Sequence, residues 1–172
     1  MSEREQTEFT RPFVVTGLAE GESRLTIEAN SQECERLAQR FMIVSITSLA
    51  ASLKLRLNPI GEVDVSGRLT AEVVQTCVVS LELVTALLAE SFSLRYAPGA
   101  REPIEDRSFG VDDEQPSEAL FDDTVDLGEM VSQQLALALD PFPRVPGAQI
   151  AVATDADSPA AGPFLGLGAL KW

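Results

Sequence analysis

The sequence predicts an α+β fold: a curved antiparallel sheet or partly closed β-barrel with two main helices, an acidic loop and a flexible C-terminal tail. Three observations carry this reading. Apolar residues recur with period two over long stretches between Met42 and Tyr96, two shorter stretches show helical spacing behind capping residues, and the 172-residue length suits one core with peripheral segments. Residues 10–140 are expected to form the single domain, with an acidic loop at 101–125, and 141–172 a Pro/Ala/Gly-rich tether ending in an apolar peptide.

Pro12-Phe13-Val14-Val15 and Ser23-Arg24-Leu25-Thr26-Ile27-Glu28 read as strands, the second facing the core with Leu25 and Ile27. Asn30-Ser31-Gln32-Glu33 has the form of a capping box, and Leu37, Ala38 and Phe41 follow on one helical face, which predicts a helix over about 31–40. Cys34 falls one turn before Leu37 and Ala38 on that face and reads as a small buried hydrophobe rather than a reactive thiol.

From Ile43 the period changes. Leu53, Leu55 and Leu57 alternate with Lys54 and Arg56 up to Asn58-Pro59-Ile60-Gly61, a turn that predicts a hairpin. The return strand carries Val63, Val65, Leu69, Ala71 and Val73, with Gly67 standing in the same file, where a bulge or bend is expected. Phe92, Leu94 and Tyr96 alternate with Ser91, Ser93 and Arg95 in a further strand, while Leu87-Leu88-Ala89 fits strand or helix, with strand preferred. A second helix starts at Asp126, with Glu129 at its third position. Leu127, Met130, Val131, Leu135 and Ala138 form its stripe before Pro141, and both acids stand at the positive end of the helix dipole.

Composition removes several classes of function. There is no histidine, and Cys34 and Cys77 are the sole cysteines, so imidazole acid–base chemistry, classical triads and a Cys/His zinc site are excluded. No GxGxxG, P-loop, Cys-x-x-Cys or EF-hand pattern occurs, and the acidic pairs Asp122-Asp123 and Asp112-Asp113-Glu114 lack calcium-site spacing. No catalytic residue, metal or cofactor is expected. A charged N-terminus without a signal sequence, and the lack of any run of about twenty apolar residues, lead to the expectation of a cytoplasmic protein.

The net charge of −14 is concentrated: between Glu102 and Glu129 eleven acids face one base, Arg107. A carboxylate about 4 Å from a phosphate costs roughly 1 kcal/mol even in water, so this segment is unsuited to gripping RNA. It is either a solvated loop that favours solubility or a docking site for a basic protein through Asp106, Asp112, Asp113, Glu114, Glu118, Asp122 and Asp123. The terminal Phe164, Leu165, Leu167 and Leu170 either fold back on their own domain or serve as a short peptide for a partner's groove.

Taken in order, Cys77-Val78-Val79-Ser80-Leu81-Glu82, the acidic segment, Val125-Asp126-Leu127-Gly128-Glu129-Met130-Val131, Leu137-Ala138-Leu139-Asp140-Pro141-Phe142-Pro143 and the Gly162–Lys171 peptide resemble the bacterial YceD family, the large ribosomal RNA subunit accumulation protein family. The resemblance spans roughly residues 10–172. It implies a non-enzymatic cytoplasmic factor needed for accumulation of 23S rRNA, in a family whose genes often neighbour that of a small basic large-subunit ribosomal protein. Many members carry Cys-x-Arg-Cys where this chain has Cys77-Val78-Val79-Ser80, and some carry further Cys or His where it has Arg144-Val145-Pro146-Gly147. Any metal or RNA role of those residues is therefore not carried over, and Cys77 is expected to be a packed residue at a strand end.

The resemblance and the charge pattern together lead to a basic large-subunit ribosomal protein or a pre-50S particle as the expected partner, with rRNA contact indirect. The alternative is direct binding of structured rRNA by a basic face of the β-body through Arg24, Lys54, Arg56 and Arg68, joined by Arg36 and Arg40 if all cluster.

Overall fold

A computed structural model describes residues 8–18, 22–59, 61–98, 118–120 and 123–149. The elements in chain order are β1 (Pro12–Val14), a 3-10 turn (Val15–Gly17), β2 (Glu22–Glu28), α1 (Ser31–Arg40), β3 (Ser45–Leu57), β4 (Val63–Thr76), β5 (Leu83–Pro98), β6 (Glu118–Leu120), β7 (Thr124–Asp126) and α2 (Leu127–Ala138). A five-stranded sheet has the order β2-β3-β4-β5-β6, antiparallel except for the β5–β6 pair, and β1 and β7 make a separate two-stranded sheet.

The period-two files explain the sheet. Leu49, Ala51, Leu53 and Leu55 of β3, with Val63, Val65, Leu69, Ala71 and Val73 of β4, are buried on one face, where both helices pack. Their alternates, such as Ser52, Lys54, Arg56, Arg68 and Thr70, are exposed on the other. The sheet is therefore two-sided and does not close into a barrel: β2 and β6 are its edges, with no pairing between them among the described residues. Two helices cover the apolar face, so the sheet has no need to curl around a lumen to bury it.

α1 forms where its cap predicts. Asn30 Oδ1 accepts the N–H groups of Gln32 and Glu33 at 3.0 Å each, and Glu33 Oε2 accepts the Asn30 N–H at 2.8 Å. Cys34, Leu37 and Ala38 are buried against the sheet. The helix ends in a Schellman arrangement, with the Ile43 N–H bonded to the Ala38 carbonyl and the Met42 N–H to that of Gln39. Met42 stands where glycine is usual, at φ 53°, and its side chain is 92% exposed. Leu81, at φ 64° in the β4–β5 turn, is a second bulky residue held in the left-handed region, each at a cost of roughly 1–2 kcal/mol.

The β3–β4 hairpin closes as expected, with Gly61 at φ 86° and the Asn58 side chain bonded to the Glu62 N–H at 2.8 Å. Gly67 differs from expectation. The pairing runs unbroken through it, and the irregularity lies between Ile46 and Ser48 of β3. Gly67 makes room instead: a Cβ there would come within 2.7 Å of both Leu53 Cδ2 and Phe92 Cζ.

Two short strands, β6 and β7, lie within the stretch expected to be an acidic loop. β7 leads into α2, where Asp126 Oδ1 accepts N–H groups from Gly128 at 3.0 Å, Glu129 at 3.2 Å and, across the chain, Arg11 at 2.8 Å. Leu127, Met130, Val131 and Leu135 are buried as predicted, while Ala138 is half-buried. Beyond the helix, residues 140–145 lie against the end of β4: Gln75 Nε2 donates to the Asp140 carbonyl at 2.9 Å and the Val78 N–H to that of Pro143 at 2.9 Å.

Candidate functional site

The outer face of the sheet gathers the charged side chains that the alternation of β2 to β5 points away from the core. In the strand register Arg24 lies opposite Lys54, Arg56 opposite Asp64, Asp64 opposite Arg95, and Arg68 between Ser52 and Ser91. The four cations named from sequence thus share one surface, joined by Arg95. Arg36 and Arg40 do not join them; they sit on α1, behind the opposite face.

Pairing dominates this surface. Glu22 holds Arg24 Nε at 2.6 Å and also Lys54, and together these two cations pull its carboxyl below the ordinary range, Lys54 contributing most. Asp64 holds Arg95 Nε at 2.9 Å and Arg56 at 3.5 Å, with Glu62 3.6 Å from Arg95. Arg68 makes no ion pair among the described residues. A shallow cleft of about 360 Å³ is lined by Lys54, Arg56, Asp64, Ser66, Ser93 and Arg95, with Leu94. A neighbouring one of about 410 Å³ runs along Arg24, Thr26, Ser52 and Lys54. Glu28 and Glu72 share the strand parity of Glu22 and Asp64, so with Glu62 five acids balance the five cations of this face, on a chain whose net charge is −14.

Arg95 was within reach of sequence reasoning, since it alternates in step with Ser91 and Ser93. The pairing partners were not, because register between strands is set by contacts distant in sequence.

The other predicted residues fall differently. Asp106, Asp112, Asp113, Glu114 and Asp122 lie outside the described residues, as do Phe164, Leu165, Leu167 and Leu170. Glu118 opens β6, and Asp123 is exposed in the turn before β7, at φ 50°, with its carbonyl accepting the Val15 N–H at 2.8 Å.

A second locus surrounds Cys77, which is packed at the end of β4 and 0% exposed. Its Sγ accepts the Ser80 N–H at 3.3 Å and the Val145 N–H at 3.4 Å. The Ser80 side chain and N–H, then the Val145 and Val79 N–H groups, favour the thiolate more than burial opposes it, and the pKa is lowered from 9.0 to about 6. Segments 77–80 and 144–147 are thus side by side. In this chain they meet through one sulfur and backbone N–H groups. Among the described residues no group of three Cys, Asp or Glu side chains is placed to hold a metal ion, and no helix is long and apolar enough to cross a membrane. Cys34, by contrast, is buried on α1 with its pKa raised by desolvation.

The molecule defined by these features is an open α+β protein whose charged groups converge on the solvent face of its sheet. A family model described as "Large ribosomal RNA subunit accumulation protein YceD" matches residues 65–162, more than half of the chain, and the chain belongs to that family. The matched region runs from near the start of β4 through the acidic segment and α2 into the tail, and so contains the Cys77 locus. No curated protein and no solved structure matches the chain.

Proposed function

We propose that the protein is a non-enzymatic, cytoplasmic factor that supports accumulation of 23S rRNA by holding a basic large-subunit ribosomal protein, or an assembly intermediate presenting one. The family description ties the chain to large-subunit rRNA, and the surplus of eight carboxylates over bases between Glu102 and Asp123 supplies the complement to a basic protein. The observation that favours this reading over a direct grip on RNA is the pairing on the sheet. Glu22, Asp64 and Glu62 already pair with Arg24, Lys54, Arg56 and Arg95, so a phosphate arriving there must displace a carboxylate or sit beside one. Capture by the acidic segment is steered by charge and weakens with salt.

The second reading is direct binding of structured rRNA on the outer sheet face, favoured by the clustering of Arg24, Lys54, Arg56 and Arg68 with Arg95. The two are separated by titrating the purified protein with a purified basic large-subunit ribosomal protein, and separately with a 23S rRNA fragment, at low and high salt. Salt-sensitive binding of the protein with none of the RNA supports the first reading. Binding of RNA alone transfers the function to the sheet face, and binding of neither removes both.

A further inference from the structure

We propose that the C-terminal segment 163–172 of this chain docks on an apolar pole of its own domain, beside the uncovered edge of β5. Leu83 and Leu87 share the outer face of the sheet with Arg68 and Arg95 but lie towards its other end, beyond the charged cluster, and the inference stands whether or not the proposed function does.

The pole is where β3 starts, β4 ends and β5 starts. The Val44 N–H bonds to the Val74 carbonyl, Leu83 pairs with Thr76, the Leu81 N–H bonds to the Cys77 carbonyl and the Val78 N–H to that of Pro143, so the segments that carry Met42, Val78, Leu81, Leu83 and Phe142 meet at this end of the sheet. Met42 is 92%, Leu81 76%, Leu83 65% and Phe142 66% exposed. Leu87, four residues and about 13 Å further along the same face of β5, is 81% exposed. Elsewhere among the described residues the large exposed hydrophobics are Val14, Leu57 and, on α2, Leu137. An apolar grouping of this kind marks a contact surface.

Beside it runs an open edge. β6 pairs only with Tyr96, Ala97 and Pro98, so among the described residues no strand lies on that side of β5 from Leu83 to Arg95. Leu83-Val84-Thr85-Ala86-Leu87-Leu88-Ala89 carries no charge, proline or glycine to discourage pairing. Glu82 and Glu90 flank it, and no Lys or Arg occurs between Arg68 and Arg95.

The occupant follows from where the described chain ends. Residues 143–149 leave from this same pole, since Val145 bonds to Cys77 and the Ala148 N–H to the Val145 carbonyl. Thirteen residues then separate Gln149 from Pro163. A coil of that length spans about 20 Å, comparable to the ~23 Å of edge between Leu83 and Glu90. Tethering at that range gives an effective concentration on the order of millimolar, which favours this segment over a free competitor. Its chemistry also fits: Phe164, Leu165, Leu167, Leu170 and Trp172 are apolar, Leu165 and Leu167 alternate with Gly166 and Gly168 in the period of a strand, and Lys171 is its one charged side chain, opposite in sign to Glu82 and Glu90.

Trp172 is the sole tryptophan and reports on this segment directly. In the full chain its emission should be blue-shifted, and its quenching by acrylamide several-fold weaker, relative to a synthetic peptide of residues 163–172. L83E/L87E should return both to the peptide's values while far-UV circular dichroism stays unchanged. Leu81→Glu, in a turn rather than a strand, gives the same readout if the double variant misfolds. Emission identical to the peptide's in the wild-type chain overturns the proposal. So does a blue shift that survives these substitutions, which places the segment elsewhere, or one that vanishes on dilution, which makes the occupant a second copy.

Discussion

The sulfur of Cys77 accepts the backbone N–H of Val145, 68 residues further along the chain, at 3.4 Å. With the Ser80 donors this contact fastens the segment after α2 to the end of β4 and favours the thiolate. The native pKa of about 6 lies below the ordinary 9.0 of an unfolded thiol, so the unfolded chain binds more protons between these values and stability rises with pH across that window. The contribution is complete above pH 9.0 and is lost as pH falls through about 6. Cys77→Ser, which keeps an acceptor but does not ionise, should show a flatter dependence than wild type in urea denaturation across that range.

Arg40 and Glu129 join the two helices through paired hydrogen bonds of 2.7 Å each. The Arg40 guanidinium, above all through these bonds, holds the Glu129 carboxyl below its ordinary 4.5. Because both side chains are partly exposed, solvent screens the pair, and Glu129→Gln is expected to cost about 1 kcal/mol at neutral pH by chemical denaturation. The pair's contribution is present above pH 4.5 and is lost as pH falls through the lowered native value, so wild type and variant should converge in acid.

Gly67→Ala places a methyl group 2.7 Å from Leu53 Cδ2 and Phe92 Cζ. Both are side-chain atoms in a packed layer, and the expected loss is about 1–3 kcal/mol. Phe92→Leu shortens one of the two obstacles, so the double variant should lose less than the sum of the single changes. A thermodynamic cycle in urea measures that coupling.

Glu22→Gln removes the carboxylate shared by Arg24 and Lys54. Two paired cations become free on a face that already carries Arg68, and the affinity of the chain for RNA should rise. The salt dependence should steepen by roughly one to two phosphate contacts between 50 and 200 mM salt in filter binding.

What the sequence disclosed was local. The Asn30 and Asp126 caps, the Asn58–Gly61 turn and the alternation of β3, β4 and β5 each depend on neighbours a few residues apart, and each stands in the structure as read. The bulge expected as one outcome at Gly67 is not there, because a missing side chain signals a bulge and a close approach in the same way; Phe92, 25 positions on, decides which. β6 and β7 could not be seen, being three residues each and dependent on partners at Tyr96–Pro98 and Pro12–Val14. At the candidate sites, strand parity gave the face on which Arg24, Lys54, Arg56 and Arg68 lie, but not the carboxylates that occupy them. The Cys77–Val145 contact left no trace, because its donor is a main-chain N–H that any residue but proline supplies.

The parallel pair of β5 and β6 sets Glu118 beside Tyr96, so the chain departs at Pro98 and comes back within a strand's width of where it left. An excursion anchored in this way at both feet is nearly indifferent to its own length, since halving the number of residues between Pro98 and Glu118 changes the closure entropy by only about 0.6 kcal/mol. The number of residues between the two feet can thus change at little cost in closure entropy while the sheet beneath them stays as it is.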